Sequence, residues 1–342
     1  MKRVLLSIII FTLVFISCGC KNHALPPETE PDAGKTSAAG TTESTDISES
    51  GEASEPESFS EPDVTPVMTE REKGCWYGDD TGTDATYTGL EPLPLNDFNG
   101  VSFENTKGLS NNTIEHSYGV AKDGEPHSIS VNNQKFFSEN GFDAVCYDAS
   151  AEEKYVYLTF DCGYENGYTA KILDTLRDEG VKAAFFCTLP EMKENKEIIA
   201  RMIKEGHIVG NHSVTHPDFS KLTRKEMYEE VKTFDDYLRE HFGYSAQYFR
   251  YPQGKYSENS LDLLNQMGYT CVFWSLAYAD WDLNNQKGAN HALETVMSRI
   301  HPGAVILLHA VSPDNSNALG RIIDAARAEG YSFRSLSDYH PV

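Results

Sequence analysis

The sequence of 342 residues predicts an α/β fold: an incomplete (β/α) barrel that is preceded by a disordered acidic tether. Two observations support this prediction. Between residues 151 and 342, short apolar strand patterns alternate with helical patterns, and such alternation implies parallel strands joined by crossover helices. The repeats extend over roughly 190 residues, which suits a barrel with fewer than eight units. An open doubly wound sheet is the alternative.

The second observation is the composition of the N-terminal part. Residues 22–74 contain 13 acidic against three basic side chains and no periodic apolar pattern. Such a segment buries too little apolar surface to offset its ordering entropy, so we predict a disordered tether over residues 18–74. Residues 22–74 of this tether carry −10 of the net charge of −23. The remaining charge is also acidic, without a basic stripe, which argues against a nucleic-acid partner. We expect a monomer.

The first residues indicate export. Two basic residues precede an apolar run over residues 4–16, which is too short for a membrane span of roughly 20 residues. This layout predicts a signal peptide over residues 1–17. The run ends in FISCGC, which resembles the lipobox of bacterial lipoproteins, with Cys18 a better lipidation site than Cys20. We therefore expect a protein anchored by lipid to the outer face of the bacterial cell membrane, with plain secretion as the alternative.

Between the tether and the repeats, residues 75–150 are rich in Asn, Gly and Ser and show few periodic runs. We predict an irregular extension that packs on the domain. Cys75 and Cys146 are candidates for a disulfide that the sequence does not decide. Cys187 and Cys271 lie inside apolar strand patterns, so the seven cysteines do not form a disulfide framework.

The repeats can be assigned in order. A capping box from Thr223 to Glu226 opens the longest predicted helix, whose core face carries Met227, Val231, Phe234 and Leu238. Predicted helices also cover residues 170–178 and 198–203. Predicted strands cover residues 155–160, 183–188, 246–250, 270–276, 304–309 and 332–336, with a further strand-like stretch at 207–210.

Six chemically active side chains are expected at strand ends on one rim: Asp161, His212, His216, Arg250, Asp280 and His309. The two histidines of NHSVTHP are four residues apart, a spacing for which a divalent metal is the usual reason. Each residue alone is a weak signal. A lone histidine is more often structural, and Arg250 with Asp280 could form a plain ion pair. Chance seldom delivers all six to one rim.

TFDCG, HSVTHP, RYPQG, the ADW segment and ILLH resemble, in order, the motifs of the polysaccharide deacetylase (NodB-homology) family. The resemblance runs over residues 153–342. GYENGYT, GNHSVTHPD and ADWDLNNQKG are similar to the spore-former peptidoglycan N-acetylmuramic acid deacetylases, which prepare the δ-lactam of the spore cortex. The resemblance implies a metal-dependent amide hydrolase on a distorted β/α barrel.

It also implies roles. Asp161 would be the base that takes a proton from water, and Arg250 would hold it ionised. His212 and His216 would hold a divalent metal, for which we expect zinc.

The remaining implied roles lie at the C-terminal motifs. His309 would protonate the leaving amine, with Asp280 orienting it. The backbone N–H near Gln253 would help to stabilise the oxyanion. Trp281 and Leu307 would be groove or wall residues, and for Trp281 an ordinary core position is the alternative.

Cys162 departs from the family pattern, because it stands where most members carry a metal-binding aspartate and the muramic acid subgroup often carries asparagine. A turn through Gly163 would let Asp161 and Cys162 both face the rim, and a thiolate is a good zinc ligand. The alternative is a small, semi-buried thiol. A redox role is least favoured, because no cysteine is near in sequence.

The leading hypothesis is a hydrolase that removes N-acetyl groups from peptidoglycan glycan strands, at N-acetylmuramic acid. One alternative keeps the chemistry and changes the substrate to a chitin-like oligosaccharide or acetylated xylan. Another is a wall-binding lipoprotein with an inactive deacetylase fold.

Overall fold

The structure is a computed structural model, which describes residues 76–78, 85–87 and 96–340. The predicted signal peptide, the tether and Cys75 lie outside these residues. In the described part, no helix combines the length and the apolar character needed to cross a membrane.

The described strands and helices follow each other as the repeats predict. The strands are β1 (Trp76–Gly78), β2 (Ala85–Tyr87), β3 (Ile114–Glu115), β4 (Ala144–Val145), β5 (Tyr155–Cys162), β6 (Ala184–Cys187), β7 (Ile208–Asn211), β8 (Tyr248–Phe249), β9 (Lys255–Tyr256), β10 (Thr270–Val272), β11 (Ala304–His309) and β12 (Ser332–Arg334). The helices are α1 (Ser128–Glu139), α2 (Thr169–Asp178), α3 (Leu189–Glu194), α4 (Lys196–Lys204), α5 (Arg224–Phe242), α6 (Glu258–Gln266), α7 (Ala289–Met297) and α8 (Pro313–Ala328).

The main sheet is parallel and curled. Its strand order is β11-β5-β6-β7-β8-β10-β4, and β12 pairs with the start of β5. Isolated bridges from Leu276 to Ile306 and from Tyr147 to Ala304 bring the β10 and β4 end of the sheet towards β11. The sheet is therefore a half-barrel surrounded by helices. The barrel prediction is confirmed, and the open doubly wound sheet is wrong.

Strand β5 separates two apolar regions. On one face, Tyr157 packs in a small cluster with Phe186 and Val305. On the other face, Phe160 belongs to the large cluster that also contains Leu173 of helix α2. Successive side chains of a strand point to opposite faces. Asp161 and Cys162, the last two residues of β5, therefore lie on opposite faces of the sheet.

Helix α5 begins as the sequence predicts. The Thr223 hydroxyl accepts a hydrogen bond from the Glu226 N–H, and the Glu226 carboxylate accepts one from the Thr223 N–H. Gly243 ends the helix with a φ of 61°, a left-handed conformation that glycine adopts without strain. The predicted core face is confirmed, since it is buried at Met227, Val231, Phe234 and Leu238.

Residues 96–150 are more regular than predicted. They contain helix α1 and strand β4, which pairs with β10 in the main sheet. The prediction of an irregular extension missed these two elements because the α1 sequence is mostly polar and β4 has only two residues. Asn96 anchors the start of this segment through hydrogen bonds to Ser245 and Ala246. Cys146 is buried, with its thiol near the Ser130 carbonyl, and its pairing with Cys75 stays untested.

Candidate active site

The first charged pair of the site joins two strand ends. Asp161 lies at the end of β5, and its Oδ1 accepts a hydrogen bond of 2.8 Å from Arg250, just after β8. The carbonyl oxygens of Val272 and Phe273 accept the other guanidinium hydrogen bonds, at 3.0 and 3.2 Å. Burial favours the neutral acid, but the charge and hydrogen bond of Arg250, together with the neighbouring histidines, more than offset it and lower the pKa of Asp161. The carboxylate is therefore ionised at neutral pH.

The two histidines of NHSVTHP follow strand β7. His212 Nδ1 lies 2.8 Å from the carbonyl oxygen of Arg250, and its Nε2 lies 3.6 Å from Asp161 Oδ2. The ring of His216 is 4.9 Å from that of His212. Burial lowers the pKa of His212 to about 4 and also lowers that of His216. Both imidazoles are therefore neutral, with lone pairs available.

The loop that carries these histidines is tightly held. Ser213 and His216 have positive φ angles of 71° and 57°, which non-glycine residues seldom adopt. The Glu230 carboxylate accepts hydrogen bonds from the N–H groups of Val214 and Thr215. Helix α5, which carries Glu230, thus holds the loop in this conformation.

The second charged pair lies at the end of β11. His309 Nδ1 is 2.7 Å from Asp280 Oδ1, and the His309 N–H donates to Asp280 Oδ2, also at 2.7 Å. Asn315 of helix α8 donates a further hydrogen bond to the same carboxylate. Burial opposes the charged imidazole, but the hydrogen bond and charge of Asp280 prevail and raise the pKa of His309. The alternative ion pair between Arg250 and Asp280 is wrong.

Both pairs open into one cavity of about 770 Å³, which we call the catalytic cavity. Its wall includes Gln253, Trp281 and Leu307, as the sequence predicts. Trp281 is 59% exposed, so the ordinary core alternative is wrong for it. Gln253 has a φ of 57°, a left-handed conformation that places it in the turn after β8.

Cys162 is not brought to this cavity. Its side chain is buried in the large apolar cluster, on the opposite face of β5 from Asp161. A hydrogen bond with the Cys187 thiol and burial raise the pKa of Cys162 well above its usual value. The expectation that Gly163 turns both side chains to the rim is wrong, because β5 keeps its regular alternation through Cys162.

Comparisons with known proteins agree with this geometry. A family model described as polysaccharide deacetylase matches residues 148–272. The peptidoglycan-N-acetylmuramic acid deacetylase PdaA of Bacillus subtilis is 42% identical over 193 residues, which cover 56% of this chain and 73% of that protein. An uncharacterized protein of Geobacillus stearothermophilus is 46% identical with the same coverage. The solved structure of B. subtilis PdaA, a family 4 carbohydrate esterase, matches with a TM-score of 0.64 and 37% identity, covering 67% of this chain and 97% of that one.

The chain belongs to the polysaccharide deacetylase family. It is therefore a hydrolase of the family 4 carbohydrate esterase type, which acts on acetyl groups of polysaccharide. The predicted motifs at Asp161, His212, His216 and Arg250 lie within the matched residues.

Polysaccharide deacetylases of this type are generally metal-dependent, so we tested the donors of the site. Among the described residues, no group of three or more His, Cys, Asp and Glu side chains is arranged to hold a metal ion. His212 and His216 nevertheless fit one. The Arg250 carbonyl oxygen engages His212 Nδ1, which leaves Nε2 as the ligand atom, a common arrangement around metal-bound histidine. The donors that fit a metal are therefore the two neutral imidazoles, and the Asp161 carboxylate lies beside them.

Several residues of this deacetylase site were missed by sequence reasoning. Tyr118, Tyr164 and Trp274 line the catalytic cavity, and Asn315 holds Asp280. Tyr164 lies in GYENGYT, which carries part of the family resemblance, so that stretch was a usable signal. For Tyr118, Trp274 and Asn315 only the fold reveals the contact, because the meeting of distant segments around one cavity is not a local property of the sequence.

Proposed function

We propose that this deacetylase removes N-acetyl groups from N-acetylmuramic acid residues of peptidoglycan glycan strands, with zinc or another divalent metal held by His212 and His216. One observation carries the catalytic part. A carboxylate whose pKa is lowered and an imidazole whose pKa is raised line the same cavity, at Asp161 and His309. The similarity to PdaA supports the substrate.

Asp161 acts as the base. Its Oδ1 is held by Arg250, so Oδ2, which faces His212, takes the proton from the attacking water. The metal, when bound, supplies Lewis acidity and lowers the pKa of a bound water. The arginine keeps the carboxylate deprotonated before each turnover, because burial alone would raise its pKa.

His309 acts as the acid. Its Nδ1 is engaged by Asp280, so Nε2 is the atom that gives a proton to the amine nitrogen as the bond to the acetyl carbon breaks. Asp280 fixes the orientation of the ring through Nδ1, and Asn315 in turn holds the Asp280 carboxylate. Proton removal by Asp161 and proton delivery by His309 thus begin from two separate strand ends, β5 and β11.

Acetate release from defined glycans tests the substrate. We expect release from glycan strands whose peptides have been removed, with less from peptide-bearing strands and from chitin oligosaccharides. Faster release from chitin oligosaccharides or acetylated xylan than from the denuded strands would move the assignment to that alternative substrate. No release from any of them in metal-loaded protein would support the inactive wall-binding alternative.

We also propose that the protein is exported, works as a monomer and is anchored to the outer face of the cell membrane by a lipid on Cys18. The support is the sequence alone, whose start resembles a signal peptide, because these residues lie outside the part of the chain that the structure describes. Mass spectrometry of the N-terminal peptide from membranes tests it. A diacylglyceryl group that persists in Cys18→Ser and disappears in Cys20→Ser would assign the lipid to Cys20 instead. Complete release of unlipidated protein would support secretion.

A further inference from the structure

A second cavity, of about 350 Å³, adjoins the catalytic cavity, and of the residues in its wall only Asp280 belongs to the two charged pairs. The two cavities share Tyr118, Tyr278 and Ala279 in their walls. The wall of the second cavity also contains two cationic side chains, Lys287 and Arg299. A group attached close to the reacting amide would therefore meet positive charge here.

The guanidinium group of Arg299 has more N–H donors than its hydrogen bond to the backbone uses. Its Nη1 donates to the carbonyl oxygen of Ala277 at 2.8 Å, and the Tyr118 hydroxyl donates to the same oxygen at 3.0 Å. Within the described part of the chain, neither Arg299 nor Lys287 lies in an ion pair with a carboxylate. A half-buried guanidinium in a cavity wall, with N–H groups left over, is well suited to a carboxylate ligand.

Two acidic side chains also line this second cavity, and both are already engaged. Asp280 accepts hydrogen bonds from His309 and Asn315. Asp314 accepts one of 2.6 Å from the N–H of Gly288, just before helix α7. The two cations are therefore the charged groups of this wall that have no carboxylate partner.

We propose that the second cavity binds the carboxylate of the lactyl ether of a muramic acid residue, with Arg299 as the main ligand and Lys287 beside it. The proposal rests on the proposed function and extends it to substrate selection. In N-acetylmuramic acid the lactyl ether is attached to the carbon next to the one that bears the N-acetyl group. With the amide in the catalytic cavity, the carboxylate reaches an adjoining space, and a glucosamine residue has only a hydroxyl group to offer there.

A binding experiment tests the subsite without turnover. Muramic acid and glucosamine are titrated into the full, metal-loaded chain and its Arg299→Gln variant, with Arg321→Gln as the matched control on the exposed side of helix α8. We expect the wild type and the control to prefer muramic acid by about tenfold, and Arg299→Gln to lose most of that preference. Equal binding of the two sugars by the wild type, or an unchanged preference in Arg299→Gln, would overturn the proposal.

A kinetic experiment separates recognition from a structural role. The substrates are denuded glycan and the same glycan with its lactyl carboxyl groups converted to amides. In Arg299→Gln, kcat/KM on the free carboxylate should fall about tenfold more than on the amide, mostly through KM, and Arg299→Lys should recover part of it. Lys287→Gln, at an exposed position, should show a smaller loss in the same direction. Equal losses on both glycans would show that Arg299 only supports the fold.

The two experiments keep the two proposals apart. If the wild type binds muramic acid selectively but releases no acetate from denuded glycan, the subsite is supported and the proposed function is refuted. A wild type that deacetylates denuded glycan without selective binding retains the function and loses the subsite. A glycan that carries stem peptides behaves like the amide, because the peptide bond removes the lactyl charge. Preference for the peptide-bearing glycan would instead assign the cations to a carboxylate of the peptide.

Discussion

In the two charged pairs of the catalytic cavity, the side chain that faces the cavity is a carboxylate in one pair and an imidazole in the other. In the first pair the carboxylate of Asp161 faces the cavity and the cation, Arg250, is completely buried. In the second pair the imidazole of His309 faces the cavity, with 24% of its side chain exposed, and the carboxylate of Asp280 is completely buried. In each pair the buried partner is also held by further hydrogen bonds.

This difference shows how one cavity holds a base and an acid together. Burial opposes the charged form of both Asp161 and His309. In each case the buried partner is the main influence that opposes burial, so that the pKa of the aspartate falls and the pKa of the histidine rises. The identity of the hidden residue therefore decides which protonation state is presented to the cavity.

The largest effect is expected when the group that faces the cavity is removed. Asp161→Asn and His309→Ala should each lower kcat by about 10²- to 10⁴-fold, because each loses a proton-transfer group. Acetate release measures the rate, and circular dichroism checks the fold. Asp178→Asn, at an exposed carboxylate of helix α2, is the control and should keep the wild-type rate. Near wild-type release from either catalytic variant would contradict the assigned roles.

Removing the hidden partner should act on stability. Arg250→Gln leaves the Asp161 carboxylate buried without its cation, which we expect to cost about 3–5 kcal/mol in the free energy of unfolding. Arg327→Gln breaks an exposed pair with Glu179 and should cost at most about 1 kcal/mol. Urea denaturation of both variants measures the contrast. Equal losses would mean that burial of the Asp161–Arg250 pair carries no special weight.

The pH profile of kcat/KM should shift in opposite directions when each hidden partner is neutralised. The base must be ionised, so activity rises with pH through the pKa of Asp161, and Arg250→Gln should move this rising limb to higher pH. The acid must be protonated, so activity falls through the pKa of His309, and Asp280→Asn should move this falling limb to lower pH. Movement of both limbs in the same direction would contradict the two-pair arrangement.

The smallest effect is expected at Cys162, which lies on the opposite face of β5 from the first pair. Cys162→Ala should leave metal content and turnover unchanged and should cost about 1 kcal/mol of stability through lost packing. Cys187→Ala, which removes the neighbouring thiol, should behave alike. A Cys162→Ala protein that loses its metal while Cys187→Ala keeps it would restore the predicted ligand role.

The sequence pattern is enough to predict the half-barrel and the rim on which its polar residues meet. Alternating strand and helix patterns allow few topologies, and parallel strands bring their carboxyl ends to one edge of a sheet. The ends of β5 and β11 could therefore be assigned to one rim, because Asp161 and His309 follow strand patterns together with the other four polar residues. The polar helix α1 and the two-residue strand β4 were missed, because neither has a periodic apolar pattern long enough to read.

Which charged groups pair and which side chains reach the cavity depends on the packed fold. From the sequence, Arg250 could pair with Asp280. In the fold Arg250 pairs with Asp161, because β8 lies across the barrel interior from β5, whereas Asp280 contacts His309 at the end of β11. The fold also places Cys162 beside Cys187, 25 positions along the chain but in register on the next strand. Such contacts depend on strand order, register and face. These are collective properties of the packed core, so no local sequence pattern encodes them.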